Sequence, residues 1–186
     1  MPALGRVRLL VLDVNGVLTD GRLFYGARGE AFKSFNVKDG HGIKQVAAAG
    51  ITVAIISGRK SAIVTRRARE LGIRHVAQGV TDKLAALEKL ASARSILLEH
   101  TACVGDKLAA LNKLAKSQSV PLEHCACVGD DTPDAPMLHA AGLAIAVADA
   151  HPDARAVADL LTTHRGGYGA VREVCDWLID ARRMRA

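Results

Sequence analysis

Apolar residues fill positions 7–12 almost without a break, Val-Arg-Leu-Leu-Val-Leu, and the run stops at Asp13. A stretch of that length without polar alternation predicts a strand covered on both faces, as in a parallel sheet. The pattern returns at 51–56 before Ser57-Gly58-Arg59, at 75–77 before Gln78-Gly79, around Cys125 and Cys127 before Gly129-Asp130-Asp131, and at 143–147. Helical spacing lies between these runs: 43–49 closed by Gly50, 61–71 closed by Gly72, 137–141, 152–158 after His151, and 170–183. A short strand at 160–162 and a flexible turn, Gly166-Gly167-Tyr168-Gly169, precede the last helix. Alternation of this kind predicts an α/β fold, a Rossmann-like doubly wound parallel sheet. No Pro- or Ser-rich linker divides the 186 residues, so a single domain over 1–186 is expected.

Two segments break the rhythm. Residues 18–35 carry Gly21, Gly26 and Gly29 among Leu23, Phe24, Tyr25, Phe32 and Phe35, which reads as a projecting β-hairpin. It holds all three phenylalanines, so it is read equally as packing on its own domain or against a partner subunit. Residues 82–105 then recur as 106–129, with 17 of 24 positions identical. Two copies are too few for a solenoid, so this is a tandem duplication of one helix–strand unit within a complete fold.

Composition narrows the class. Hydrophobic residues make up 49% and charged residues 24%, the balance of an ordinary globular protein. The net charge is +6, with Arg66, Arg67, Arg69, Arg182, Arg183 and Arg185 contributing. Aromatics at 3% leave little to stack on bases, so a solvated face or attraction of a small anion is expected rather than nucleic-acid binding. Cys103, Cys125, Cys127 and Cys175 show neither CxxC pairing nor metal-ligand spacing with histidine. Neither a leader pattern nor a membrane-length apolar run is visible, and a cytoplasmic protein without a membrane partner is expected.

The chemistry lies at the strand ends. Asp13, Ser57, Lys83 (or its copy Lys107) and Asp130 each follow an apolar run, and ligands of open α/β sheets bind outside the carboxyl ends of strands. A carboxylate nucleophile, further carboxylates for Mg²⁺, a hydroxyl and an ammonium form the inventory for phosphoryl transfer through an aspartyl intermediate. His41 reads equally as a site-facing or a solvated loop group, and Cys175 and Trp177 as the buried face of the last helix.

Several stretches resemble the haloacid dehalogenase superfamily, and within it the capless sugar-acid phosphatases. They are 13–21 (Asp-Val-Asn-Gly-Val-Leu-Thr-Asp-Gly), 35–42, 56–59, 78–79, 82–84, 129–131, 147–152 and 166–176. The resemblance implies Asp13 as nucleophile and metal ligand, with the backbone carbonyl of Asn15 and Asp130 completing the protein's Mg²⁺ shell. Asp131 and Asp134 would support it, Ser57 and Lys83 would bind phosphoryl oxygens, and Gly58 and Arg59 would lie beside phosphate or substrate. It also implies a homotetramer joined at the hairpin, and a phosphorylated eight-carbon or nine-carbon sugar acid as substrate.

Two departures bear on that expectation. The family has a second aspartate where this chain has Asn15, which can neither protonate a leaving alkoxide nor activate water. General acid–base catalysis is worth about 10²–10⁴-fold, so a slow phosphatase is expected. A non-catalytic homologue that binds phosphorylated ligands, or serves as an oligomeric partner, is the alternative. The duplication supplies two lysines for one slot. Lys83, directly after the strand at 75–77, is favoured over Lys107, while Asp130 is favoured over Asp106, which lacks the Asp-x-x-Asp continuation.

Overall fold

The computed structural model describes residues 3–80 and 107–184. Six parallel strands form the main sheet in the order β5-β4-β1-β6-β7-β8. They are β1 (Leu9–Leu12), β4 (Thr52–Ser57), β5 (His75–Gln78), β6 (Cys125–Gly129), β7 (Leu143–Ala146) and β8 (Leu160–Leu161). All four residues of β1 are buried, as its unbroken apolar run requires. β1 pairs with β4 on one side and β6 on the other, with Leu12 opposite Ile55 and Val128. The chain builds outward through β4 and β5, then returns to lay β6 beside β1. The order therefore reverses between β1 and β6, where open sheets leave a crevice for ligands.

Helices α1 (Val37–Ala48), α2 (Ala62–Leu71), α3 (Lys107–Ser117), α4 (Ala135–Ala140), α5 (Pro152–Ala156) and α6 (Ala170–Arg183) accompany the sheet. α2 has the predicted limits: the Ser61 hydroxyl accepts from Val64 N, and Gly72 closes the helix in the left-handed region. α1 begins six residues before the expected start, because the Asn36 side chain accepts from Lys38 N and caps it there. Its glycines serve close packing rather than a turn. A Cβ on Gly42 would lie 3.0 Å from Cys175 Cβ on α6, and one on Gly40 would lie 2.4 Å from Arg67 Nη2. His41 is exposed. Buried Asp39 accepts from Arg172 N at 2.8 Å, which joins α1 to the open N–H groups at the start of α6.

The projecting ribbon is β2 (Phe24–Gly26) paired antiparallel with β3 (Gly29–Phe32). It is shorter than the expected 18–35, since Val17, Leu18 and Thr19 are buried in the loop that follows β1. Phe24 and Phe32 stack with ring centroids 4.2 Å apart, and Tyr25 and Phe32 remain 64% and 54% exposed.

Cys125, Cys127 and Cys175 are buried free thiols, as the core reading expects. Burial pushes Cys125 up to about 11 and Cys175 up to about 12, so neither is a reactive thiolate near neutrality. Cys103 and the first copy of the duplicated unit lie outside the described residues. Among the described residues, no helix is long and apolar enough to cross a membrane.

Candidate active site

Asp13 and Asp130 leave neighbouring strands, β1 and β6, at their carboxyl ends. Asp13 N donates to Val128 O at 3.1 Å, continuing the ladder one residue beyond β1 and fixing the carboxylate at the crevice. After it the chain turns sharply: the N–H groups of Leu18 and Thr19 both donate to Val14 O at 3.0 Å. Gly16, at φ +93°, lies under Asp130. A Cβ there would come within 2.0 Å of Asp130 Oδ2, so only glycine leaves that carboxylate its place.

Ligand oxygens of Asp13, Asp130 and Asp134 lie within 4.8 Å of one another. Asp134 is the most committed of the three. Its Oδ1 accepts from Lys107 Nζ at 2.5 Å, and its Oδ2 accepts from Asp130 N at 3.0 Å and Asp131 N at 3.2 Å. It thus braces the end of β6, and leaves Asp13 and Asp130 as the carboxylates suited to a cation. Hard, crowded oxygen donors of this kind fit Mg²⁺.

The electrostatics point the same way. Burial pushes Asp13 up to about 6, with the Lys107 ammonium opposing the rise and the Asp134 carboxylate adding to it. Asp130 is pushed up to about 8, first by burial and then by the Asp13 and Asp134 carboxylates. Carboxyl groups raised first by burial and then by neighbouring carboxylates can exchange a proton for a cation. For Lys107, burial opposes the charge, yet the paired Asp13 and Asp134 carboxylates outweigh it and hold the ammonium above its usual range.

The ammonium at Asp13 is that of Lys107, the first residue of α3, 2.8 Å from Asp13 Oδ1. Lys83, favoured from its position after β5, lies outside the described residues. Among the described residues it is the copy, Lys107, that reaches Asp13. Both copies carry the same Asp-Lys-Leu-Ala-Ala-Leu, so local sequence could not separate them.

Ser57 ends β4 and is buried, while Arg59 is exposed and donates to Tyr25 Oη at 2.8 Å. Gly58 is half-buried between them. Asn15 accepts at Oδ1 from Lys33 Nζ, 2.7 Å away on the chain leaving the ribbon. Lys33 was not singled out from the sequence, because one lysine in a polar ribbon carries no local signal.

The stretch 166–169, read as a flexible turn, is a brace. Gly167 N donates to Val17 O at 2.9 Å and Gly166 N to Asp149 Oδ1 at 3.0 Å. A Cβ on Gly166 would meet Gly16 O at 1.6 Å. The paired glycines allow close backbone approach to the loop after Asp13.

A family model for haloacid dehalogenase-like hydrolases matches residues 105–173. The 3-deoxy-D-manno-octulosonate 8-phosphate phosphatase of Escherichia coli strain K12 is 44% identical over 176 residues, covering 95% of this chain and 81% of its own. The crystal structure of the Yersinia pestis 3-deoxy-D-manno-octulosonate 8-phosphate phosphatase superposes with a TM-score of 0.82 at 38% identity, covering 97% of this chain and 85% of the other. The Moraxella catarrhalis phosphatase, solved with magnesium ion, phosphate ion and a KDO molecule, gives 0.80 at 39% identity, covering 97% and 90%. With Asp13 and Asp130 at the expected strand ends, the chain belongs to the 3-deoxy-D-manno-octulosonate 8-phosphate phosphatase family of haloacid dehalogenase-like hydrolases.

Proposed function

We propose that this protein hydrolyses the phosphate monoester of 3-deoxy-D-manno-octulosonate 8-phosphate, with Mg²⁺ as cofactor and Asp13 as nucleophile. The observation that carries the reading is the Lys107 ammonium bridging Asp13 and Asp134 at the crevice between β1 and β6. Asp13, Asp130 and the backbone carbonyl of Asn15 would hold the metal, which when bound neutralises charge on the phosphoryl oxygens.

The chain's own groups account for the rest. A carboxylate oxygen of Asp13 attacks phosphorus, the bond from phosphorus to the sugar oxygen breaks, and that oxygen leaves with the bonding pair. Lys107 directs two of its three N–H donors to Asp13 and Asp134, and the third is available to a phosphoryl oxygen. Ser57, Gly58 and Arg59 line the same end of the sheet and meet the remaining oxygens or the sugar acid. The departing alkoxide requires a proton, and the aspartyl-phosphate then requires an activated water. Asn15 supplies neither, so both steps rely on bulk water and turnover is slow.

Asn15 also favours a second reading, in which the protein binds the phosphorylated sugar acid without turning it over. A single-turnover experiment with 3-deoxy-D-manno-octulosonate 8-phosphate and Mg²⁺ decides between them. Metal-dependent phosphate release with transient phosphorylation of Asp13 supports the phosphatase. Binding without transfer selects the alternative. The same assay with a nine-carbon sugar-acid phosphate tests the substrate assignment.

The exposed Tyr25 and Phe32, beside the stacked Phe24, support assembly through the ribbon. A homotetramer is the assembly proposed.

A further inference from the structure

The β2–β3 ribbon and the chain leaving it are exposed over most of their length, yet the Lys33 side chain is 1% exposed. Burying an ammonium is costly unless it is paired and hydrogen-bonded. Here Glu30 provides the pair at 3.0 Å, and Asn15 Oδ1 accepts from the same nitrogen at 2.7 Å. Glu30 is itself held by the Ser61 hydroxyl at the start of α2. The ammonium is thereby fixed between the ribbon and the side chain two residues beyond the nucleophile.

A carboxamide is nearly symmetric in shape but opposite in polarity at its two ends. Only Oδ1 can accept from an ammonium, so the Lys33 contact decides which end of Asn15 faces the ribbon. The two Nδ2 hydrogens then point away from it. We propose that Lys33 is a positioning residue: it orients the Asn15 carboxamide so that residue 15 offers donors, and not a repelling carbonyl oxygen, to a phosphoryl group bound at Asp13. This inference rests on Asp13 being the nucleophile. It gives Asn15 a role that its lack of a titratable proton does not remove, as a fixed dipole aimed at developing negative charge.

The test is calorimetric binding of orthovanadate in the presence of Mg²⁺, which reads the phosphoryl site without turnover. Lys33→Met should weaken vanadate about tenfold in the Asn15 protein, the scale of one lost charge-assisted hydrogen bond. It should change little in an Asn15→Ala background, where there is no carboxamide to orient. Lys33→Gln keeps a donor without the charge and should retain most of the affinity, which also guards against a misfolded methionine variant. Equal losses in both backgrounds would overturn the inference, because Lys33 would then act as a charge independent of Asn15. No loss in either would overturn it too, as would a glutamine variant as weak as methionine with an unchanged melting temperature. Failure of the unaltered protein to bind vanadate would remove the nucleophile reading and this inference with it, whereas binding without coupling removes the inference alone.

Discussion

Lys107 Nζ lies 2.8 Å from Asp13 Oδ1, and both side chains are almost wholly buried. Removing one partner of such a pair leaves the other desolvated and uncompensated, at a cost of about 3–5 kcal/mol. Lys107→Ala should therefore lower the melting temperature and abolish vanadate binding, while Lys83→Ala should leave both near those of the unaltered protein. Calorimetry and thermal unfolding read the two effects. Loss of binding in Lys83→Ala alone would place the first copy at the phosphate.

The raised carboxyl groups give a pH signature. Folded values of about 6 for Asp13 and about 8 for Asp130 lie above the ordinary 3.8, so over that span the native state holds protons that the unfolded chain has released. Their contribution to stability is present below about pH 4 and lost as pH rises through 6 and then 8. Metal-free protein should lose stability between pH 6 and 8, and Asp130→Asn should flatten that slope. Mg²⁺ must displace the same protons, so its affinity should rise over this interval. A slope unchanged by Asp130→Asn would contradict the assignment.

Gly16 offers a test of the metal pocket. Any Cβ there collides with Asp130 Oδ2, and the φ of +93° is itself unfavourable for an L-residue. Gly16→Ala should displace the Asp130 carboxylate and weaken Mg²⁺ by at least tenfold, since one of two protein carboxylates is misplaced. Titration calorimetry would measure the change. Undiminished affinity would place the metal elsewhere.

Asn15→Asp should raise phosphatase turnover by about 10²–10⁴-fold, the range for a positioned general acid–base. Because the expected metal contact at residue 15 is a backbone carbonyl, Mg²⁺ affinity should change far less. The rise should appear in kcat with little movement of KM. A folded, metal-binding Asn15→Asp protein without activity would favour the binding-only reading.

Tyr25→Ser with Phe32→Ser removes the exposed aromatic surface of the ribbon. Sedimentation should then show smaller species than the unaltered protein. An unchanged assembly would move the subunit contact away from the ribbon.

Much of the sheet and of the site could be read from the chain because each feature had a local signature. The run before Asp13, broken only by Arg8, had the mark of a doubly covered strand, and Ser57 and Asp130 followed runs of the same kind. Elsewhere the deciding contact was distant. Gly40 and Gly42 suggested a loop because their reason, the closeness of Arg67 and Cys175, comes from other helices. Gly166 suggested mobility for the same cause, its neighbour being the Gly16 backbone. Lys33 gave no sign because a buried ammonium and an exposed one look alike in sequence. Between Lys83 and Lys107 the chain offered two identical hexapeptides, and the contact of Lys107 with Asp13 is a tertiary one that neither hexapeptide announces.

That contact has a bearing on how the protein can evolve. Lys107 lies in the second copy of the duplicated unit and Asp130 directly follows it, so with these residues in the proposed roles selection for phosphoryl transfer would act on 106–131 more than on 82–105. The first copy would then be free to drift while the reaction is preserved. Among descendants of this gene, substitutions should accumulate faster around Lys83 than around Lys107, and the 17 shared positions should erode from one side only.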